Sequence, residues 1–315
     1  MKRLLNIANK KIPLGICVSA VFVSAALAYS VSYTLAMRKF NKVVSYNYEK
    51  QQMYSKLSEV DHAIRQEYFG DINEDDLINN ICNGYIHGLN QGDCKYLSSE
   101  EYKEFISGKE DKNEAVKTQR IDDIGYLKLQ GLSAEAGNLF VSNFQSLQAD
   151  GVNKFIIDVR GLKGGSSDQL AKIVNFLFPA GDIVSYVEKS GEKGVEFKST
   201  SSGVSCNISV VCNEETAGLS EVLVSALKDF SNAKIVGQKT AGTALKMKTL
   251  QLSDGSVIMF PTAHYITKDG NSLYGMGVNP DEDVALDEDK SRLLNNSQLS
   301  LEDDDQVLKA MEMLG

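Results

Sequence analysis

Residues 213–243 read NEETAGLSEVLVSALKDFSNAKIVGQKTAGT. The pattern is a strand end, a tight turn, an amphipathic helix, a second strand and a Gly-bearing turn. A turn that opens a helix is where many hydrolases hold a nucleophile, because the helix N-terminus supplies unpaired N–H groups and a partial positive charge. The stretch therefore reads as the centre of an active site. The rest of the chain decides whether that site is complete.

Outward from this stretch, strands and helices alternate from Asp123 onward. IGYLKLQ (124–130) and FIIDV (155–159) read as strands, and Ala134–Ala149 as a helix between them. RGLKGGSS (160–167) is a Gly-rich turn leading into a helix over Asp168–Phe178. IVSYVEK (183–189) and VEFKS (195–199) suit a hairpin around Gly191, and NISVVC (207–212) is an apolar strand. KTLQLSDGSVIMFPTAHYI (248–266) reads as a hairpin turning at Asp254-Gly255. A C-terminal helix is expected over Ser300–Leu314. Apolar strands alternating with helices predict an α/β layer arrangement with a mainly buried sheet. Ligand sites in such sheets collect at the carboxyl ends of the strands. The turns at 161–165 and 215–218 would meet there.

Upstream, GKEDKNEAVKTQR is polar and aperiodic and reads as a linker over 109–120. Two helices precede it, one over 40–69 and one over Glu74–Leu89, and Ser98 with Glu101 makes a capping box for a third. Residues 1–11 are basic and precede an uncharged run, Ile12–Met37, long enough to cross a ~30 Å hydrocarbon core. The charges on either side favour the N-terminus inside and the rest of the chain outside. The alternative is a signal peptide cleaved after Ala26-Leu27-Ala28, near Ala28. The expected organisation is a cytoplasmic N-terminus (1–11), a transmembrane helix (12–37), a helical segment (38–108), the linker (109–120) and a core (121–315).

A net charge of −9 argues against nucleic acid or an anionic surface as the main partner. Much of the acid lies in the last 35 residues or so and reads as a solvated tail. With three histidines and no C-x-x-C, no metal or other cofactor is expected. Cys206 and Cys212 end one strand about 20 Å apart and cannot bridge each other, whereas Cys82 and Cys94 could. Buried free thiols are the expected state of all five cysteines.

Taken together, these residues resemble the tail-specific or C-terminal processing serine peptidases. DCKYLSSEEYKEF, FIIDVRGLKGG, NEETAGLSEV, KIVGQKTAGT and LSDGSVIMFPTAHYITKDGNSLYGMGVNPD follow one another as the family's motifs do, over roughly residues 55–107 and 121–314. The resemblance implies a ClpP/crotonase-like αβ core and a Ser-Lys dyad. It also implies that Gly164 and Gly165 line an oxyanion hole and let a peptide backbone approach closely.

Three departures qualify it. The family's nucleophilic Ser aligns with Gly218, and its Lys base with Thr243. Glycine has no side chain to attack with, and a threonine hydroxyl cannot act as a desolvated Lys amine does. The PDZ domain usual in the family has only the linker in its place. Displaced candidates are Thr216 or Ser220 with Lys246 or Lys239, and more weakly His264. Ser220, two residues along the helix, is expected to face away from Gly218. The expectation is a membrane-anchored, catalytically inactive family member that binds a peptide or an envelope protein. The alternatives are an active peptidase with a displaced dyad and a structural envelope protein.

Overall fold

The structure is a computed structural model that describes residues 14–89, 92–106, 115–132 and 135–315. It forms two units, Met1–Asn73 and Glu74–Gly315. The first contains one helix, α1 (Leu14–Glu67). The helices expected separately over 12–37 and 40–69 are continuous, since neither Gly nor Pro interrupts residues 38–67. Within α1, Val21–Phe40 is long and apolar enough to span a membrane. Residues 1–13 lie outside the described residues, so the basic N-terminus stays a reading of the sequence.

The second unit opens with α2 (Glu74–His87), β1 (Lys95–Leu97) and α3 (Ser99–Ile106). The capping box forms as expected. The Ser98 amide donates to Glu101 Oε2 at 2.8 Å, and the Glu101 amide to Ser98 Oγ at 3.2 Å. Part of the expected linker is a strand. Residues 107–114 lie outside the described residues, but β2 (Val116–Ile121) pairs antiparallel with β3 (Ile124–Leu129). The polar run KTQR misleads because β2 is a sheet edge whose middle residues are exposed.

A six-stranded sheet carries the site. Beyond β2 and β3 it contains β4 (Lys154–Asp158), β7 (Asn207–Cys212), β8 (Lys234–Gly237) and β11 (Glu282–Asp283), in the order β11-β8-β7-β4-β3-β2. All neighbours except β2 and β3 run parallel. Alternate residues on these strands enter different cores, as a period of two requires. Phe155, Ile157, Val210 and Ile235 join the main core with Phe140, Phe144 and Leu170. Those three come from α4 (Ala136–Ala149) and α5 (Ser167–Leu177). Ile156, Val211 and Val236 point the other way, onto Val307, Ala310 and Leu314.

That second face corrects two expectations. The C-terminal helix is shorter than Ser300–Leu314, and there is a separate α7 (Glu288–Asn295) before it. The last helix, α8, spans Asp305–Glu312. Asp304 is its N-cap, with its side chain accepting from the Gln306 and Val307 amides, so the acidic run ends in a cap and not in a longer helix. Nor is this stretch simply a solvated tail. Asp304 is buried, and Val307 and Ala310 close the sheet.

A second, antiparallel sheet holds β5 (Pro179–Glu188), β6 (Lys193–Ser202), β9 (Leu245–Gln251) and β10 (Val257–Ile266) with β1. The two expected hairpins are β5–β6 and β9–β10. Helix α6 (Leu219–Ser231) follows β7 and buries Val222, Leu223, Ala226 and Leu227. Cys82, Cys94, Cys206 and Cys212 are free, but only Cys212 is buried. The others are half-buried, short of full burial.

Candidate functional site

Three turns converge at the carboxyl ends of β4, β7 and β8. The first, 161–165, meets the second, 213–218, through the Ala217 amide donating to the Leu162 carbonyl at 2.9 Å and the Gly161 amide donating to Asn213 Oδ1 at 3.0 Å. The third, 240–243, meets the second through the Ala241 amide donating to the Thr216 carbonyl at 3.0 Å. The meeting expected of the two Gly-rich turns is therefore present, with a third turn added.

Gly218 is the N-cap of α6 and holds φ 62° and ψ −124°, a left-handed region that L side chains enter only under strain. A Cβ there would have room, its nearest neighbours being Lys163 O at 3.8 Å and Gly164 Cα at 3.9 Å. The Gly218 amide donates to Thr243 Oγ1 at 3.2 Å. Positions 218 and 243, which are 25 apart in sequence, thus touch. Gly218 is half-buried and Thr243 exposed, so both are reachable from solvent.

The residue that holds these turns together is Glu221, which the sequence reading did not single out. Its carboxylate is fully buried. Oε1 accepts from Thr240 Oγ1 and from the Gly242 amide, both at 2.6 Å. Oε2 accepts from the Thr243 amide at 2.7 Å, the Gly218 amide at 3.0 Å and Thr243 Oγ1 at 3.3 Å. A carboxylate at the third helical position reaching back to the N-cap amide is half of a capping box. That spacing, Glu three residues after the turn Gly, was the available signal. Its contacts to residues 240–243 were not readable locally.

Gly164 and Gly165 have φ of 103° and 141°. Among the described residues their amides have no hydrogen-bond acceptor. The two glycines differ in what a side chain would meet. At Gly164 the nearest atom to a Cβ is the Leu219 amide nitrogen at 3.8 Å. At Gly165 a Cβ would lie 2.4 Å from Leu132 Cβ and 2.8 Å from the Leu132 carbonyl oxygen, where the Ser166 amide donates. Gly165 is therefore required by close packing on Leu132. Gly165→Ala is expected to destabilise the unit by about 1–3 kcal/mol. Equilibrium urea unfolding would check this, and an unchanged midpoint would refute it.

The displaced candidates are engaged elsewhere. Thr216 is fully buried, and its hydroxyl donates to the Val159 carbonyl at 2.9 Å while accepting from the Asn213 amide at 3.1 Å. Ser220 is fully buried, with its hydroxyl lacking a partner among the described residues. Lys246, on β9, pairs with Glu196 and lies 3.9 Å from the centre of the Tyr186 ring. Partial burial works against its charge, but Glu196 outweighs that and holds the amine above its ordinary range. A general base needs the opposite shift. Lys239 is exposed, and His264 is half-buried on β10 opposite Val187 and Leu245. Cys212, at the start of the second turn, is no ready thiolate, since burial pushes its thiol up to about 12.

The sequence profile of peptidase family S41 matches residues 123–284, just over half of the chain and all three turns. The chain belongs to peptidase family S41. A Staphylococcus aureus protein named "Probable CtpA-like serine protease" is 30% identical over 229 residues, covering 65% of this chain and 45% of its own length. A Staphylococcus epidermidis protein of the same name is 29% identical over 185 residues, covering 58% of this chain and 37% of its own. The chain thus spans less than half the length of these curated relatives. In structure, a lipoprotein from Streptococcus agalactiae superposes with a TM-score of 0.56 at 18% identity, covering 72% of this chain and 84% of that one. The mixed α/β arrangement described above is accordingly the S41 fold.

Proposed function

We propose that this S41 family member binds extended peptide without cleaving it. The observation that carries the reading is the contact between Gly218 and Thr243. The positions that the family resemblance assigns to nucleophile and base lie side by side, and neither carries the group that the chemistry needs. The hydroxyls of Thr216 and Ser220 and the amine of Lys246 are committed or enclosed as described, which disfavours a displaced dyad.

The surroundings suit a peptide. The unpartnered amides of Gly164 and Gly165 could donate to a backbone carbonyl, as an oxyanion hole does. Strand β9 begins two residues after Thr243 and pairs with β10 along one edge, with no strand on its other edge among the described residues. An extended peptide could add there by main-chain hydrogen bonds. In this reading α1 anchors the protein with its N-terminus inside, and the core faces an extracytoplasmic peptide or envelope protein. Only residues 107–114 separate α3 from Ala115, too few for a PDZ domain, so recognition rests on the core itself.

The test uses the full chain in detergent with a fluorophosphonate probe, and reduced casein as both substrate and ligand. The expected result is no covalent labelling, no turnover, and binding that Thr243→Trp abolishes. Turnover that disappears on mutating one nearby Ser or Thr would overturn the reading.

A further inference from the structure

We infer that α1 pairs with α1 of a second copy of this chain through a heptad seam just beyond the apolar segment. This is independent of whether the core cuts or binds. Met53, Leu57, Val60 and Ile64 recur at steps of four, three and four residues within one uninterrupted helix. Carried over Val43–Ile64, where the steps alternate three and four, the repeat averages 3.5 residues, the period that winds two helices around each other in a left-handed coiled coil. In the sequence the same register carries back through Lys50 to Tyr46 and Val43, giving three heptads with one polar interruption.

The four residues are 44%, 39%, 54% and 47% exposed, so the seam is uncovered within its own unit. Among the described residues, no other helix or strand belongs to this unit to cover it. A helix in water owes most of its stability to burying an apolar face, so an uncovered seam of this length calls for a partner. The seam is two residues wide per heptad, as in a coiled coil, and narrower than the broad stripe of a helix packed on a globular core. The opposite face carries Ser55, Ser58, Glu59, His62 and Gln66 and suits water.

Charge selects a second copy as the occupant. With Leu57 and Ile64 at a positions and Met53 and Val60 at d, Lys56 falls at g and Asp61 at e. In a parallel pair, g of one helix faces the next e of the other. Lys56 would then face Asp61 of the second copy, and the reverse contact follows by symmetry. Asp61 already accepts from Arg65 Nε at 2.8 and 2.9 Å, a single donor nitrogen that leaves the carboxylate further acceptor capacity. The seam lies C-terminal to both Val21–Phe40 and Ala28, so it is retained whether or not the apolar segment is cleaved.

The experiment places a photocrosslinking amino acid at single positions of the full chain in membranes. Positions 57 and 60 are expected to give a band at twice the 34.5-kDa chain mass, and positions 58 and 62 much weaker bands. Leu57→Glu combined with Ile64→Glu is expected to raise the dissociation constant of the pair by at least about 100-fold. Light scattering of the detergent-solubilised full chain would read that change. Crosslinking of equal strength at all four positions, crosslinks only to another protein, or crosslinks within a single chain would each overturn the inference. So would a double variant whose mass in solution matches the unsubstituted protein.

Discussion

Arg160→Met is expected to destabilise the second unit by about 3–5 kcal/mol, the cost of leaving buried charge unpaired. The guanidinium side chain is 1% exposed and sits between two carboxylates. Its Nη2 lies 2.7 Å from Asp158 Oδ2 and 2.7 Å from Asp304 Oδ2. Nη1 donates to Gln306 Oε1 at 2.9 Å, and the Tyr126 hydroxyl donates to Asp158 Oδ2 at 2.6 Å. Removing Arg160 strands both aspartates and loosens α8 from β4. Burial pushes the Asp158 carboxyl up, but Arg160 outweighs burial and holds it below the ordinary range. In the intact protein this contributes stability above the unfolded pKa of about 3.9, lost as pH falls through the folded value. In the variant only Lys128, the Tyr126 hydroxyl and the residue-160 amide still favour the charged form against burial, so Asp158 contributes much less stability as pH rises. The gap between the two proteins is therefore expected to be widest near neutrality and to narrow toward pH 4. Guanidinium unfolding from pH 4 to 8 would measure it, and a constant gap below about 1 kcal/mol would rule the account out.

Arg160 also shows how far a sequence can be read. FIIDVR is legible as a buried strand running into a turn, because β-branched and aromatic residues crowd it. That its arginine would be neutralised by Asp304, 144 residues later, is a tertiary fact with no local signature. The acids before α8 consequently read as solvent-facing. Glu221 is a similar case. Its helix-start role was implicit in its spacing, whereas its acceptance from residues 240–243 depends on two turns folding onto each other. Strand β2 was missed for a different reason. An edge strand is satisfied on one side by its neighbour and on the other by water, so KTQR carries no apolar period. Ser220 was expected to face away from Gly218, and its complete burial is a further fact that this expectation did not contain. A helical step fixes an angle but not which side the core will occupy. Gly165 is expected to line a cleft, and its missing side chain also makes room for Leu132, which no local pattern announces.

The largest change in activity is expected from restoring two groups at once. Gly218→Ser with Thr243→Lys should label with a fluorophosphonate probe about 10²–10⁴ times faster than Gly218→Ser alone, the usual contribution of a positioned general base. Position 218 can take the serine sterically, since its Cβ would have no neighbour closer than 3.8 Å. The serine would sit at φ 62°, at a cost of about 1–3 kcal/mol, so a lowered melting temperature should accompany the gain. At this φ glycine is the less strained residue. Position 243 already reaches the 218 amide with a three-atom side chain, at 3.2 Å. A lysine there is long enough to pass the amide and meet a serine hydroxyl. Glu221 sets the limit on the result. Its carboxylate accepts from the 243 amide at 2.7 Å and would favour a charged lysine, so labelling should rise with pH as the amine loses its proton. Mass spectrometry of the labelled chain would place the adduct at residue 218. If the double variant folds, binds reduced casein and still fails to label at any pH up to 10, a serine at 218 and a lysine at 243 do not by themselves make a nucleophile in this chain. The unpartnered amides of Gly164 and Gly165 would then serve peptide binding alone.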